Sequence, residues 1–205
     1  MIGAIIAGGR STRFEGEPKG LLTVGGRRII DRVAFALREV CSEVILVSSI
    51  PGAAEWLPGV QVVPDNWVTR GSLVGVHAAL RHTNEPTLIV AWDMPFVAAE
   101  VLRLLCERST HSHFATVPVL GGQFEPFCAV YTPKCLPWIE AALDANEMRL
   151  TRVLESLPEL ERVTEAELAP MGNPRTIFFN VNDAAGLSQA RGLCEDASGS
   201  PLNQL

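Results

Sequence analysis

The sequence has no run of about eighteen apolar residues, so a membrane-spanning helix is not expected. It also lacks a basic segment ahead of its apolar start. Met1-Ile2-Gly3-Ala4-Ile5-Ile6-Ala7-Gly8 opens the chain and Arg10 cuts the run short, which predicts a buried first strand rather than a signal peptide. The five cysteines, Cys41, Cys106, Cys128, Cys135 and Cys194, form no CxxC pair and no Cys/His cluster at zinc-ligand spacing. An odd, scattered set fits a reducing compartment, and a cytoplasmic location is expected. Positive charge is scarce as well. A formal net charge of −6 excludes a broad nucleic-acid surface, which needs a basic field. No internal repeat and no long linker divides the 205 residues. One domain is expected over residues 1–194, followed by a polar tail, residues 195–205, expected to be disordered.

What the sequence does have is core material: 47% of its residues are hydrophobic. Apolar runs over residues 2–7, 44–47, 60–63 and 87–92 read as buried strands. Between them, Ile29, Ile30, Val33, Leu37 and Val40 recur at helical spacing, Gly71-Ser72 opens a helix over 73–80, and 97–106 is helical. This alternation predicts an α/β fold with a mostly parallel sheet and helices on both faces. The second half is less regular. Residues 114–119 and 127–131 read as strands separated by Gly121-Gly122, and 133–143 and 148–157 as helices. A late strand is expected over 176–181 and a last helix from about 183 to 193.

The first strand runs into Ala7-Gly8-Gly9-Arg10-Ser11-Thr12-Arg13-Phe14. Glycines let backbone approach a bulky anion, and consecutive N–H groups can wrap phosphates. Arg10, Arg13, Lys19, Arg27 and Arg28 fall close together here, and Arg13 and Lys19 are placed to neutralise a triphosphate. A glycine turn alone equally fits a plain strand-to-helix bend, and the cations alone equally fit a solvated face. Two better-known phosphate loops are absent. GxxxxGK followed by Ser or Thr fails because Pro18 precedes Lys19 and Gly20 follows it. GxGxxG fails too, and the second strand ends in Ser48-Ser49 rather than in an acidic ribose ligand.

The stretch IAGGRSTRFEGEPKGLL, Ile6 to Leu22, resembles the LAGGxSxRMGxDKxLL signature of the molybdenum cofactor guanylyltransferases, within the nucleotidyltransferase superfamily. Five further pieces match in order. Val63-Pro64-Asp65 resembles the family's acidic second-strand position, and Gly71-Ser72-Leu73-Val74-Gly75 its GPLAG segment. Ala91-Trp92-Asp93-Met94-Pro95-Phe96 resembles CDMPF, the segment from Glu125 to Tyr131 resembles QPLxALY, and Phe179-Asn180-Val181-Asn182-Asp183 resembles NVNTPEDL. Together they span nearly all of the chain except the tail.

The resemblance implies a Rossmann-like, three-layer αβα nucleotidyltransferase fold with a mixed, mostly parallel sheet. It implies transfer of GMP from GTP to the phosphate of molybdopterin, with Mg²⁺ as cofactor. Ile6, Ala7 and Gly8 would hold the guanine through backbone groups, with Gly9, Arg10, Ser11, Ser48 and Gly71 also around the nucleotide. Arg13 and Lys19 would bind phosphates, Asp65 would sit near the nucleoside, and Asp93 would bind Mg²⁺ with Asn182 as second ligand. Transient contact with molybdenum enzymes or their chaperones is implied too, and neither nucleic acid nor membrane. The sequence departs from the pattern at Phe14 for Met, Glu17-Pro18 before Lys19, Ser72 for Pro, and Ser48 or Ser49 where an Asn is usual.

Asp93 also has a case of its own. It follows a buried strand, so it emerges at the strand's carboxyl edge, where open α/β sheets bind ligands. The alternative is an N-cap for the helix after Pro95. Asn180 and Asn182 alternate along the expected late strand, so only one would face the site. His77, His82, His111 and His113 read as structural or solvated, and Trp56, Trp67, Trp92 and Trp138 as core or loop anchors. A cytidylyltransferase for the same cofactor and a non-catalytic nucleotide-binding module are the rival readings. Gly8-Gly9 after Ala7 favours guanine over the first, and Lys19 with Asp93 favours catalysis over the second.

Overall fold

The computed structural model describes residues 1–8, 18–65, 71–111 and 114–198. Four β-branched-rich runs form the parallel part of the sheet: β1 (Ile2–Ile6), β4 (Glu43–Val47), β5 (Gln61–Val63) and β6 (Thr87–Ala91). A two-stranded hairpin, β2 (Thr23–Val24) and β3 (Arg27–Arg28), stands apart from it. The sheet is completed by β7 (Ala115–Leu120), β8 (Gln123–Phe124), β9 (Cys128–Tyr131) and β10 (Leu160–Thr164). Among the described residues its order is β10-β7-β9-β6-β1-β4-β5, with β8 paired to β7. β9 runs antiparallel to both β6 and β7, while β10 is parallel to β7. The sheet is therefore mixed, with its parallel block around β1.

Helices cover both faces, as the alternation predicts. One face is packed by α1 (Ile29–Arg38), α3 (Ala99–Arg108) and α8 (Ala184–Ser198), the other by α2 (Ser72–Thr83), α4 (Leu136–Asp144) and α5 (Leu150–Ser156). β1 feeds both cores: Ile5 and Ala7 belong to one and Ala4 and Ile6 to the other. No residue from Ala4 to Ala7 is more than 4% exposed, which is why this strand reads as continuous apolar sequence with no polar alternation. Gly75 lets α2 lie directly on β1, since a Cβ there would come within 2.7 Å of Ile6 Cγ2. No helix among the described residues is long and apolar enough to cross a membrane.

Three sequence expectations are corrected. The late strand over 176–181 does not form. Instead Asn173 caps a short helix α7 (Pro174–Ile177) by accepting from the Arg175 N–H, and Pro174 takes a first-turn position where no N–H is needed. The chain then turns through residues 178–182 with Phe178 and Val181 buried. The edge strand β10 is not foreseen, because Leu-Glu-Arg-Val-Thr buries only Val163 fully and so lacks a long apolar run. Its end passes into α6 (Glu165–Leu168), where Thr164 and Glu167 make a reciprocal capping box. The final helix continues to Ser198, so residues 195–198, placed in the disordered tail by the sequence, are helical.

Candidate functional site

Parallel strands in register end together. Ile6 stands opposite both Val47 and Ala91, and Val47 opposite Val63. The residues that follow, Ala7, Ser48, Pro64 and Trp92-Asp93, therefore emerge on one edge of the sheet. Backbone bonds carry the ladder past the strand ends: Ala7 N–H donates to Val47 O at 2.9 Å, Ser48 N–H to Val63 O at 3.0 Å and Trp92 N–H to Ile6 O at 3.2 Å. The first turn of α2, with Gly71 before it, comes to the same edge because Gly75 sits on Ile6.

Lys19 reaches this edge from a 3-10 turn, Lys19–Leu21. The turn is pressed onto the β6 loop: a Cβ at Gly20 would lie 2.5 Å from the Trp92 ring. That contact puts the Lys19 ammonium 3.7 Å from Asp93 Oδ2, while it donates to Asn182 Oδ1 at 3.2 Å. Both side chains of the ion pair are mostly buried, 17% and 14% exposed. Burial raises the Asp93 carboxyl above its ordinary range, and the Lys19 charge pulls it back toward the ionised form. Asp93 does not cap a helix. α3 begins at Ala99, with Ala98 as its uncapped N-terminal neighbour, so the capping alternative is overturned.

Opposite Asp93 runs the 178–182 turn. It is tied in by the Val181 N–H, which donates to Asp93 O at 2.9 Å, and by Asn180 Nδ2, which donates to Phe178 O at 2.9 Å. No strand forms over this segment, so strand alternation does not apply. Asn180 and Asn182 both line one cleft of about 380 Å³, together with Ile6, Gly8, Asp93 and Glu125. Their side chains differ: Asn182 Oδ1 is turned to Lys19, whereas the Asn180 amide bonds back along its own chain to Phe178 O. A second cleft of about 390 Å³ adjoins the first through Glu125, Asn180 and Asn182, and adds Gly121, Glu165 and Arg175.

The other expected positions are placed as follows. Ile6 and Gly8 line the first cleft, and Ala7 lies between them, buried. Ser48 is buried with its Oγ accepting from the Ile50 N–H at 3.2 Å, so it shapes the loop from inside. Its neighbour Ser49 joins that loop to Asp65, accepting from the Asp65 N–H at 3.0 Å. Gly9, Arg10, Ser11 and Arg13 lie outside the described residues. Of the basic cluster, Arg28 is committed to Asp31 at 2.7 Å and to Trp56 O at 2.9 Å. Sequence reasoning missed Glu125, whose signal was a carboxylate placed just before a proline and a fully buried strand. Burial pushes its carboxyl up to about 7.

Asp93, Asn182 and Lys19 make a set of hard oxygen donors around one positive charge, beside a cleft that opens on backbone from β1. Such an arrangement suits a polyphosphate and a divalent cation. Comparisons with known proteins point the same way. The MobA-like NTP transferase domain matches residues 3–163. A protein of Pelotomaculum thermopropionicum named "Probable molybdenum cofactor guanylyltransferase" is 37% identical over 198 residues, covering 95% of this chain and 94% of its own. A "Molybdenum cofactor guanylyltransferase" of Desulfosudis oleivorans is 33% identical, over 93% and 94%. The solved molybdopterin-guanine dinucleotide biosynthesis protein A of Archaeoglobus fulgidus superposes with a TM-score of 0.81 at 26% identity, covering 96% of this chain and all of that one.

Proposed function

This chain belongs to the family of MobA-like NTP transferase domains, and on that premise we propose that it transfers GMP from GTP to the terminal phosphate of molybdopterin. The observation that carries the reading is the convergence of Lys19, Asp93 and Asn182 where β1 and β6 end. The full-length likeness to proteins named molybdenum cofactor guanylyltransferase supports the choice of nucleotide and acceptor.

An oxygen of the acceptor phosphate attacks the α-phosphorus of GTP. The bond from that phosphorus to the bridging oxygen breaks, and pyrophosphate leaves with the electron pair. A phosphate monoester is largely dianionic near neutral pH, its second pKa being about 6, so no side chain need remove a proton. The task is to bring two polyanions together and to stabilise charge on the transferring group. Lys19 supplies a fixed positive charge for the triphosphate. Asp93 and Asn182 would hold Mg²⁺, and their donor set fits it: one carboxylate and one amide oxygen already converge on a single cationic group. When bound, the ion would neutralise charge on the phosphates. The backbone at Ile6 and Gly8 borders the cleft where the guanine would lie. The second cleft, reached past Glu125, is the approach for the acceptor.

Pyrophosphate release from GTP, CTP and ATP, each with Mg²⁺ and molybdopterin, tests this. Release should depend on molybdopterin, be fastest with GTP and stop when the metal is chelated. Preference for CTP would make the chain a cytidylyltransferase, and nucleotide binding without release would make it a non-catalytic module.

A further inference from the structure

Several carboxylates of the second half are paired with cations. Glu140 accepts from His77 and Arg81, Glu161 and Glu167 from Arg108, and Glu147 from Arg149. Glu125 differs. Among the described residues nothing donates a hydrogen bond to its carboxyl, although it is partly buried on the wall that the two clefts share. Apolar groups stand beside it, with Pro126 and Phe127 following it and Phe178 and Phe179 bordering the second cleft, and Asn180 and Asn182 share its wall. The charged and titratable groups nearby are few. Lys19 and Asp93 are engaged with each other along the first cleft, Glu165 and Arg175 line the second, Arg162 lies over the Phe124 ring, and the Cys128 thiol is buried.

An unpaired carboxylate is a poor lining for a passage that must admit phosphates, because like charges in a partly desolvated cleft repel. The un-ionised acid is a different group. It offers one donor and one acceptor, as the amide of Gln does, and Gln is the residue that the resembled QPLxALY segment has at this position. Burial favours that acid, pushing its ionisation up to about 7.

We propose that Glu125 binds the phosphate-bearing acceptor as the un-ionised acid, donating its hydroxyl to an anionic oxygen of that acceptor, and that acceptor affinity falls as the group ionises. This rests on the reading of the reaction given above. Glu125 is then the residue that selects for the acceptor, and the binding step carries a pH dependence that a Gln at this position removes.

The test compares the wild type with Glu125→Gln and Glu125→Ala, measuring KM for molybdopterin, kcat, and GTP affinity from about pH 6 to about pH 8.5. Only the protonated fraction binds well, so the ratio of wild-type to Gln-variant KM should rise roughly thirty-fold across that range. The acceptor's own phosphate ionisation is common to all three proteins and cancels in the ratio. Glu125→Ala should bind the acceptor about ten-fold more weakly than Glu125→Gln at every pH. GTP affinity should be the same in all three. Parallel KM profiles for wild type and Glu125→Gln, or a loss of GTP affinity in the variants, would overturn the assignment of Glu125 alone. Absence of transfer by the wild type under any of these conditions would instead overturn the reaction.

Discussion

The two walls of the first cleft are built on different principles. One wall is the parallel block of β1 and β6, with ladder bonds carried past both strand ends and residues 4–7 at most 4% exposed. The other is the turn 178–182, which follows a four-residue helix and is tied to the first wall by the Val181 N–H to Asp93 O bond. The first wall holds Asp93 wherever the sheet holds it. The second holds Asn180 by its local bond to Phe178 O and Asn182 by the bond it accepts from Lys19. On the proposed reading the charged metal ligand, Asp93, would stand on the stiff wall and the neutral one, Asn182, on the softer one.

The largest expected effect is on the stiff wall. Asp93→Asn should lower pyrophosphate release at least a hundred-fold while thermal melting stays within a few degrees, because the amide keeps the size of the side chain and its oxygen can still accept from Lys19. An active Asp93→Asn enzyme would leave the metal site unassigned. Next, Lys19→Ala removes a charge-assisted contact worth about 1.5–3 kcal/mol to the triphosphate, so GTP should bind roughly ten- to a hundred-fold more weakly by calorimetry. Wild-type affinity would mean that the ammonium serves only to neutralise Asp93. Third, Gly20→Val must displace the Trp92 ring, which a Cβ would approach to 2.5 Å. A fall in stability of about 1–3 kcal/mol, read from denaturant midpoints, is expected, with weakened GTP binding as Lys19 shifts. The smallest effect is on the turn. Asn182→Ala loses a neutral oxygen donor, and turnover should fall by only about ten-fold or less, with rising Mg²⁺ restoring much of it. A loss as large as that of Asp93→Asn would show that the two walls contribute alike.

The same division explains what the sequence disclosed. Strands 2–6, 43–47 and 87–91 are buried on both faces, so their runs are unbroken and their carboxyl ends fall where Asp93 and Gly8 stand. Lys19 and Asp93 were legible because each sits in a short local motif. The turn was not. Thr-Ile-Phe-Phe at 176–179 has strand composition, and the signal against it was Asn173-Pro174, a cap followed by a first-turn proline. Glu125 was quoted in a motif yet given no role. Its importance depends on two clefts meeting at one side chain, which no spacing along the chain encodes.

The edge strand β10 has a consequence for the molecule in a crowded solution. A sheet with an open, flat, apolar edge recruits strands from other chains. Here one edge presents Glu161 and Arg162 along a strand that buries only Val163 fully, with Arg108 bonded to Glu161. The opposite edge, β5, is three residues long. A foreign strand would meet charges on one side and too few partners on the other. Both edges among the described residues therefore resist strand addition by their own sequence, and the edge that carries the candidate site can stay open to solvent.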